Sequence, residues 1–527
     1  MLCSKILKLK KENSDNEKKV TTKYIHFLNY LNKKEIIVSI FLATLLISSI
    51  LFVKLPKELS PREDRGAFFL IMNSPEGSSF NNTVNQMLEL EKKLLKFYEN
   101  DEAKRVLLKV PRSFSGSENF SDGIGIVILN HWSERRPINQ IIEDVKNNIN
   151  ISDAQVRVFP PRGLGQRRAG PQLQFVLGGD DYETLEEKMK IVIDELKNNP
   201  KFIFLDTDYK KTRPQLKVTI NREKTNELGI SSEQIGRTLE IFLAGRKINT
   251  FLQDGEEYYV IIQGKDSSRK IKENLSLINL KNDNGELVRL DSFLNFMEIA
   301  EAKELNRYNR TRSITLKGGL SKEYSLGKAI QKLEGISKEK LGENIKIDFK
   351  GQSKEFKEST KQFYFLFLIS FLVIYLVLSA QFESFIYPII ILITVPLSLS
   401  GGLFGLWVVG SSLNIFSQIG MIILLGISAK NGILIVEFAN QLRKKGMEIE
   451  EALIESCKRR MRPVLMTVIS TMIGTIPLIV GSGAGSESRL TIGIVIFFGL
   501  LSSVFLTLFV TPYFYRNIAK HIKIIAE

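Results

Sequence analysis

Ile415–Phe438 reads IFSQIGMIILLGISAKNGILIVEF, an apolar run with one lysine, Lys430, near its middle. About 20 predominantly apolar residues suffice to cross a membrane, so the run predicts a spanning helix. A charge at bilayer depth costs about 2.5–3.5 kcal/mol on insertion scales; it commonly marks an ion or proton path and needs a counter-charge. The plainer alternative is a lysine that snorkels to the interface. No Asp or Glu falls inside the other apolar runs. Glu437 is seven residues on, roughly 10 Å along the axis, too far to pair. Half of a charge constellation is therefore expected here, with the other half on another polypeptide.

Further runs long enough to span occur at Ile36–Val53, Phe363–Ala380, Tyr387–Val409, Val464–Gly481 and Leu490–Tyr515. With Ile415–Asn440 they give one helix, a long polar region, then five helices in quick succession. Lys and Arg near helix ends set orientation. They crowd the N-terminal tail, the loop Gln441–Arg462 and the C-terminus. Six spans put all three on one side, so both termini are expected in the cytoplasm. The region from about Lys54 to Gln362 is then expected outside the inner membrane. Glu448–Arg459 alternates acidic and apolar residues and reads as an amphipathic helix on the membrane surface, with lipid as its partner. Pro388, Pro396, Pro477 and the pair Gly401/Gly405 fit ordinary packing and kinks, or a helix that shifts during a cycle.

The chain has 527 residues, too long for one ordinary domain. A net charge of +15 raises nucleic acid as a partner. Clustering of Lys and Arg beside apolar spans fits membrane topology better, and no nucleic-acid partner is expected. Cys3 and Cys457 cannot build a disulfide framework. His26, His131 and His521 are scattered, and no Cys/His spacing suggests a metal. No cleavable leader is apparent before the first run. No nucleophile–base constellation points to an enzyme, and no phosphate-binding glycine motif points to ATP. No cofactor is expected; energy would come from an ion gradient.

The polar region alternates strands and helices twice. Gly66–Asn73, Lys104–Val110, Gly123–Leu129 and Gln155–Phe159 read as strands, and Phe80–Tyr98 and Ile138–Val145 as helices. The order β-α-β-β-α-β is the split βαβ of ferredoxin-like domains. A second round runs through a strand at Gln172–Leu177, a helix at Tyr182–Asn198, and strands at Phe202–Asp206 and Gln215–Ile220. About 80 residues interrupt it before Thr311–Lys317, a helix at Leu326–Leu333, and Ile345–Phe349. The interruption holds a helix, Ser232–Leu243, and a hairpin in which Asp254-Gly255 separates Ile248–Leu252 from Glu257–Ile262, a strong turn signal. The linker Pro160–Pro171 (PPRGLGQRRAGP) reads as a flexible joint, or as a mobile basic segment in a cleft.

Six strings carry a resemblance: Leu55–Gly66 (LPKELSPREDRG), Ile220–Ile230 (INREKTNELGI), Leu378–Pro388 (LSAQFESFIYP), Gly426–Ala439 (GISAKNGILIVEFA), Arg460–Thr467 (RMRPVLMT) and Ile476–Gly485 (IPLIVGSGAG). From about residue 54 onward the chain resembles the C-terminal half of a resistance-nodulation-division efflux pump of the hydrophobe/amphiphile exporter type. The resemblance implies an α+β membrane protein, six spans arranged one then five, with two ferredoxin-like porter subdomains and an inserted docking subdomain. It implies a basic tail at 1–34, the first span at 35–54 and the first porter subdomain at 55–160. The second porter subdomain falls at 161–221 and 306–360, split by a docking insert at 222–305. Five spans at 361–515 and a tail at 516–527 complete the chain.

The resemblance also implies a proton-driven antiporter that uses the proton motive force and no cofactor. Lys430 would face two aspartates of the N-terminal half, with Arg460 and Thr467 joining the relay. Taken alone, Arg460 also fits a positive-inside anchor, and Thr467 fits a helix threonine bonding its own backbone. Leu107, Arg112, Phe114 and Ile126 fall in the region that lines a substrate cleft in drug-exporting relatives, although such residues also fit a core. The Asp254-Gly255 hairpin falls in the docking part. Expected partners are a chain supplying the N-terminal half with its aspartate pair, copies in a trimer, a periplasmic adaptor and an outer-membrane channel. Full pumps have twelve spans, and Leu2–Leu7 resembles the end of the sixth span and the start of the linker between halves. The expectation is a split gene or a fragment of a broken one. Alternatives are a non-transporting scaffold, or a lipid- or protein-export relative.

Overall fold

The computed structural model describes residues 34–112, 120–161, 171–269, 272–302, 304–321 and 323–520. Contacts divide the chain into two compact units, residues 209–305 and the remainder. In the larger unit, α1 (Lys34–Lys54) opens the described chain. Its 21 residues span about 31 Å at 1.5 Å each, the thickness of a bilayer core. Glu35 in the first turn and Lys54 in the last complement the helix dipole.

Residues 55–66 lead from α1 into a first sheet of β1 (Ala67–Asn73), β2 (Ala103–Lys109), β3 (Asp122–Leu129) and β4 (Gln155–Phe159). Helix α2 (Phe80–Glu99) follows β1, and α3 (Ile138–Asn148) follows β3. The strands lie in the order β2-β3-β1-β4, all pairs antiparallel. Side chains alternate along a strand. Phe68, Leu70 and Met72 of β1 therefore share one face and pack with Met87, Leu90 and Leu94 of α2 and Ile141 and Val145 of α3. Each such side chain, fully buried, contributes about 1.5–3 kcal/mol. Ser79 caps α2 by accepting from the Asn82 N–H.

The second sheet follows the same order of elements: β5 (Leu173–Gly179), α4 (Tyr182–Lys197) and β6 (Phe202–Thr207) come before the interruption. After it come β11 (Thr311–Leu320), α6 (Leu326–Lys340) and β12 (Lys346–Phe349). The antiparallel order is β6-β11-β5-β12.

Residues 209–305 form their own unit. It contains β7 (Arg213–Ile220), α5 (Ser232–Leu239), β8 (Arg246–Gln253), β9 (Glu256–Ile262) and β10 (Leu294–Glu301). Gln215–Ile220 reads from sequence as part of the second round, but β7 pairs along its length with β10. Apolar alternation identifies a strand without naming its partner. Here Leu216, Val218 and Ile220 pack on Ile235, Leu290 and Phe293 inside this unit. The β8–β9 hairpin turns at Asp254 (φ +53°) and Gly255 (φ +84°), the paired positive φ of a type I′ turn.

Five helices close the larger unit: α7 (Gly351–Phe382), α8 with α9 (Tyr387–Leu392, Thr394–Val409), α10 (Ile415–Lys444), α11 (Ile449–Val480) and α12 (Ser486–Ala519). With α1, six helices among the described residues are long and apolar enough to cross a membrane. The one-residue break at Ile393 lies just before Pro396, which has no N–H for the Leu392 carbonyl. Glu448–Arg459 is not a separate surface helix. It forms the first turns of α11, whose Ala452, Leu453 and Cys457 are buried while the Ser456 hydroxyl donates to the Ile435 carbonyl of α10 at 2.7 Å. Pro463 sits inside α11; losing one N–H does not stop a helix whose neighbours hold it.

The Gly401/Gly405 pair serves packing. A Cβ at Gly401 would lie 2.3 Å from Ser502 Cβ and 2.4 Å from the Phe498 carbonyl of α12. The Ser502 hydroxyl donates across this contact to the Leu397 carbonyl at 3.0 Å. Gly401→Val is expected to destabilise the chain by about 1–3 kcal/mol or more. Gly474→Ala, where a Cβ meets nothing within 4 Å, is expected to be neutral apart from helix propensity. Thermal unfolding and membrane yield of the two variants compare them directly; equal yields would contradict the packing role.

Asp64 ties residues 55–66 to the first sheet. It accepts from both Arg135 terminal nitrogens at 2.7 and 3.0 Å, and from the Gly66 and Ile138 N–H groups. Burial pushes this carboxyl upward, but those hydrogen bonds outweigh it and hold the pKa below the ordinary Asp range. With a depressed folded value, the stabilisation is present above the unfolded pKa of about 3.9 and is lost as pH falls through the folded value. Melting temperature is expected to drop on acidification below about pH 4, with a smaller drop in Asp64→Asn. An identical pH profile in the variant would contradict the assignment.

Candidate functional site

Lys430 sits 15 residues from the start of α10 and 14 from its end, about 22 and 21 Å at 1.5 Å per residue. It occupies the middle of the helix. The residues around it face two ways. Ser428, Ala429, Asn431 and Gly432 are buried, and a Cβ on Gly432 would lie 3.1 Å from Ile391 of α8. The Ser428 hydroxyl is spent on the Leu425 carbonyl at 3.2 Å. Small side chains thus bring α10 close to its neighbours on one side.

Lys430 lies on the other side and is exposed. It shares a shallow groove of about 220 Å³ with Val377, Leu378 and Gln381 of α7. No carboxylate among the described residues pairs with it. Glu437, the acidic residue of α10, accepts from Gln441 at 3.0 Å. Asn431 is buried, and its Nδ2 has no acceptor among the described residues.

Arg460 and Thr467 lie on α11, antiparallel to α10. The Ser456–Ile435 contact fixes the register. Four residues inward on each helix bring Arg460 to the depth of Asn431, and Thr467 lies about 10 Å deeper. The Arg460 guanidinium stacks over Phe438 at 4.5 Å, and its buried Nε has no acceptor among the described residues. The Thr467 hydroxyl donates to the Val464 carbonyl at 2.9 Å. Lys430, Arg460 and Thr467 occupy neighbouring helices, and no hydrogen bond or ion pair joins them among the described residues.

Of the residues read from the sequence as lining a cleft, Leu107 and Ile126 fall on the first sheet. Leu107 pairs with Ile126, Ile126 with Phe69, and Phe69 with Phe159. This cross-strand row lies on the face away from α2 and α3. The Phe69 and Phe159 rings are 6.1 Å apart. Phe69 and Phe159 were missed from the sequence, although alternation in AFFLIMN places Phe69 opposite the buried Phe68. Arg157 was missed as well. It pairs with Asp206 of β6 at 3.1 Å and stacks over Phe204 at 4.4 Å, joining the two sheets. The Arg112 N–H donates to the Asp122 carbonyl at 3.0 Å. Burial lowers the pKa of its guanidinium; the Asp122 charge opposes this and the Arg157 charge adds to it. Phe114, and most of the linker Pro160–Pro171, lie outside the described residues.

The AcrB/AcrD/AcrF family model matches residues 1–519. An uncharacterized transporter of Haemophilus influenzae is 30% identical over 543 residues, covering 98% of this chain and 51% of its own length. The multidrug/solvent efflux pump membrane transporter MepB of Pseudomonas putida is 31% identical over 472 residues, 88% of this chain and 45% of its own. Multidrug export protein AcrF of Escherichia coli is 28% identical over 484 residues, 90% of this chain and 46% of its own. The chain spans about half the length of the curated relatives it matches.

Lys430 and Arg460 differ in what supports them here, and stability measurements on the purified chain separate them. Lys430→Met removes a charge with no partner among the described residues and is expected to leave the melting temperature unchanged or raise it. Phe438→Leu removes the aromatic face under Arg460 and is expected to cost about 0.5–2 kcal/mol. A clear loss of stability in Lys430→Met would reveal a partner within this chain.

Proposed function

The chain belongs to the AcrB/AcrD/AcrF family, and on that premise we propose that it forms the C-terminal-half portion of a proton-driven exporter of amphiphilic or drug-like compounds. The observation that carries this reading is Lys430, at mid-span on an exposed face and without a carboxylate partner among the described residues. An unpaired ammonium at that depth is costly. Carboxylates on polypeptide outside the described residues would neutralise it. Protonating one of them releases the lysine, because the titration of each group depends on its neighbours. The Arg460 backbone stands at a similar depth on the adjacent helix, with its guanidinium over Phe438, and Thr467 lies on that helix further in.

The two β-α-β-β-α-β units, each with its third strand between the first and second, support reading them as ferredoxin-like porter subdomains. The row Leu107–Ile126–Phe69–Phe159, with Arg112 nearby, is the proposed substrate face. Residues 209–305 are the proposed docking part, with Asp254 and Gly255 at the tip of its hairpin. Ile248, Leu252, Tyr259 and Ile261 of that hairpin are all more than half exposed, which suits burial against a neighbouring copy in a trimer. A periplasmic adaptor and an outer-membrane channel complete the proposed assembly. Family membership and six apolar helices support an inner-membrane location. Clusters of Lys and Arg support cytoplasmic termini and a periplasmic α/β region.

The test is co-expression with a polypeptide supplying the homologous first half, followed by dye efflux from energised cells. Efflux is expected to collapse with a protonophore and to fall to background in Lys430→Ala. Undiminished efflux in that variant would overturn the relay role.

A further inference from the structure

Residues 55–66, between α1 and β1, touch several parts of the larger unit at once. On the membrane side, the Leu413 N–H donates to the Pro56 carbonyl at 2.8 Å, the Glu58 N–H to the Leu413 carbonyl at 3.1 Å, and the Ile415 N–H to the Leu59 carbonyl at 3.1 Å. These bonds hold the segment to the connection between α9 and α10. Glu63, 3% exposed, accepts from the Ser488 hydroxyl in the first turn of α12 and from Arg65 at 2.7 Å. The Asp64 N–H donates to Glu487 of the same turn at 3.3 Å.

The next side chain turns to the other partner. Asp64 grips Arg135, whose side chain is 1% exposed, and the N–H of Ile138 at the start of α3. Its carbonyl accepts from the Trp132 indole at 3.0 Å. Toward the second sheet, the Gly327 N–H at the start of α6 donates to the Lys57 carbonyl at 3.1 Å, and Arg62 donates to the Ser321 carbonyl at 3.5 Å. One peptide unit therefore separates a buried anchor on the last membrane helix from a buried anchor on the first α/β unit.

We propose that residues 55–66 are a coupling strap, with Glu63 and Asp64 as positioning residues that transmit displacement between the first turn of α12 and the first sheet. Its purpose rests on the transport reading; its test does not. Coupling between two ends is reciprocal. It is read by amide hydrogen exchange on the full chain in lipid nanodiscs, which reports local opening segment by segment.

Ser488→Ala and Glu63→Gln are expected to speed exchange several-fold in β1 and the first turn of α3, as well as at residues 486–491. Asp64→Asn is expected to speed exchange at 486–491 as well as in β1 and α3. If each variant speeds exchange only at its own end, the strap does not couple and the proposal falls. Should the carboxylate variants fail to accumulate, Ser488→Ala alone decides, since it removes a single hydroxyl. Undiminished efflux in Lys430→Ala would leave this result standing, whereas purely local exchange would leave the transport reading standing.

Discussion

An ammonium group at the middle of a helix long and apolar enough to cross a membrane, unmatched by any carboxylate among the described residues, is the constraint on which the packing of α10 depends. Helix α10 must pack tightly enough to be held and still keep one face open. It does so by sorting residues by size. Ser428, Ala429 and Gly432 turn inward, where Gly432 approaches Ile391, and Lys430 turns outward beside α7. Packing in lipid has no hydrophobic drive to rely on, so close backbone approach and small side chains take its place. The same device recurs at Gly401 and Gly405, which bring α9 against α12. The inner side of the bundle is thus held without using the lysine.

Much of this was legible in the sequence because the signals are strong and local. Six apolar runs marked six helices, although α7 and α11 begin at Gly351 and Ile449, well before the runs Phe363–Ala380 and Val464–Gly481 that mark them. The Asp254-Gly255 turn followed from two residues that tolerate positive φ. What escaped was partnership. The alternation of Leu216, Val218 and Ile220 marks a strand equally well beside β6 or beside β10, and only the fold chooses. The amphipathic stretch Glu448–Arg459 shows an apolar face without saying whether lipid or α10 covers it; the Ser456–Ile435 bond answers for α10. Phe69, Phe159 and Arg157 escaped for a related reason. Their row exists only once β1, β3 and β4 are set side by side.

The two sheets owe their order to the same economy. In each, the third strand lies between the first and second, so both helices cover one face and leave the other for neighbours. On the first sheet that face bears Leu107, Ile126, Phe69 and Phe159, and Arg157 reaches from it to Asp206 on the second.

The β8–β9 ribbon has a consequence for the protein in the cell. A lone two-stranded ribbon is marginal in water, and this one shows apolar side chains on both faces, with Leu252 79% exposed. Until something covers it, each newly made copy displays sticky, unpaired strand edges of the kind that aggregate. Two uncovered copies can therefore meet edge to edge, so the ribbon sets a limit on how concentrated the bare chain can become before it associates with itself.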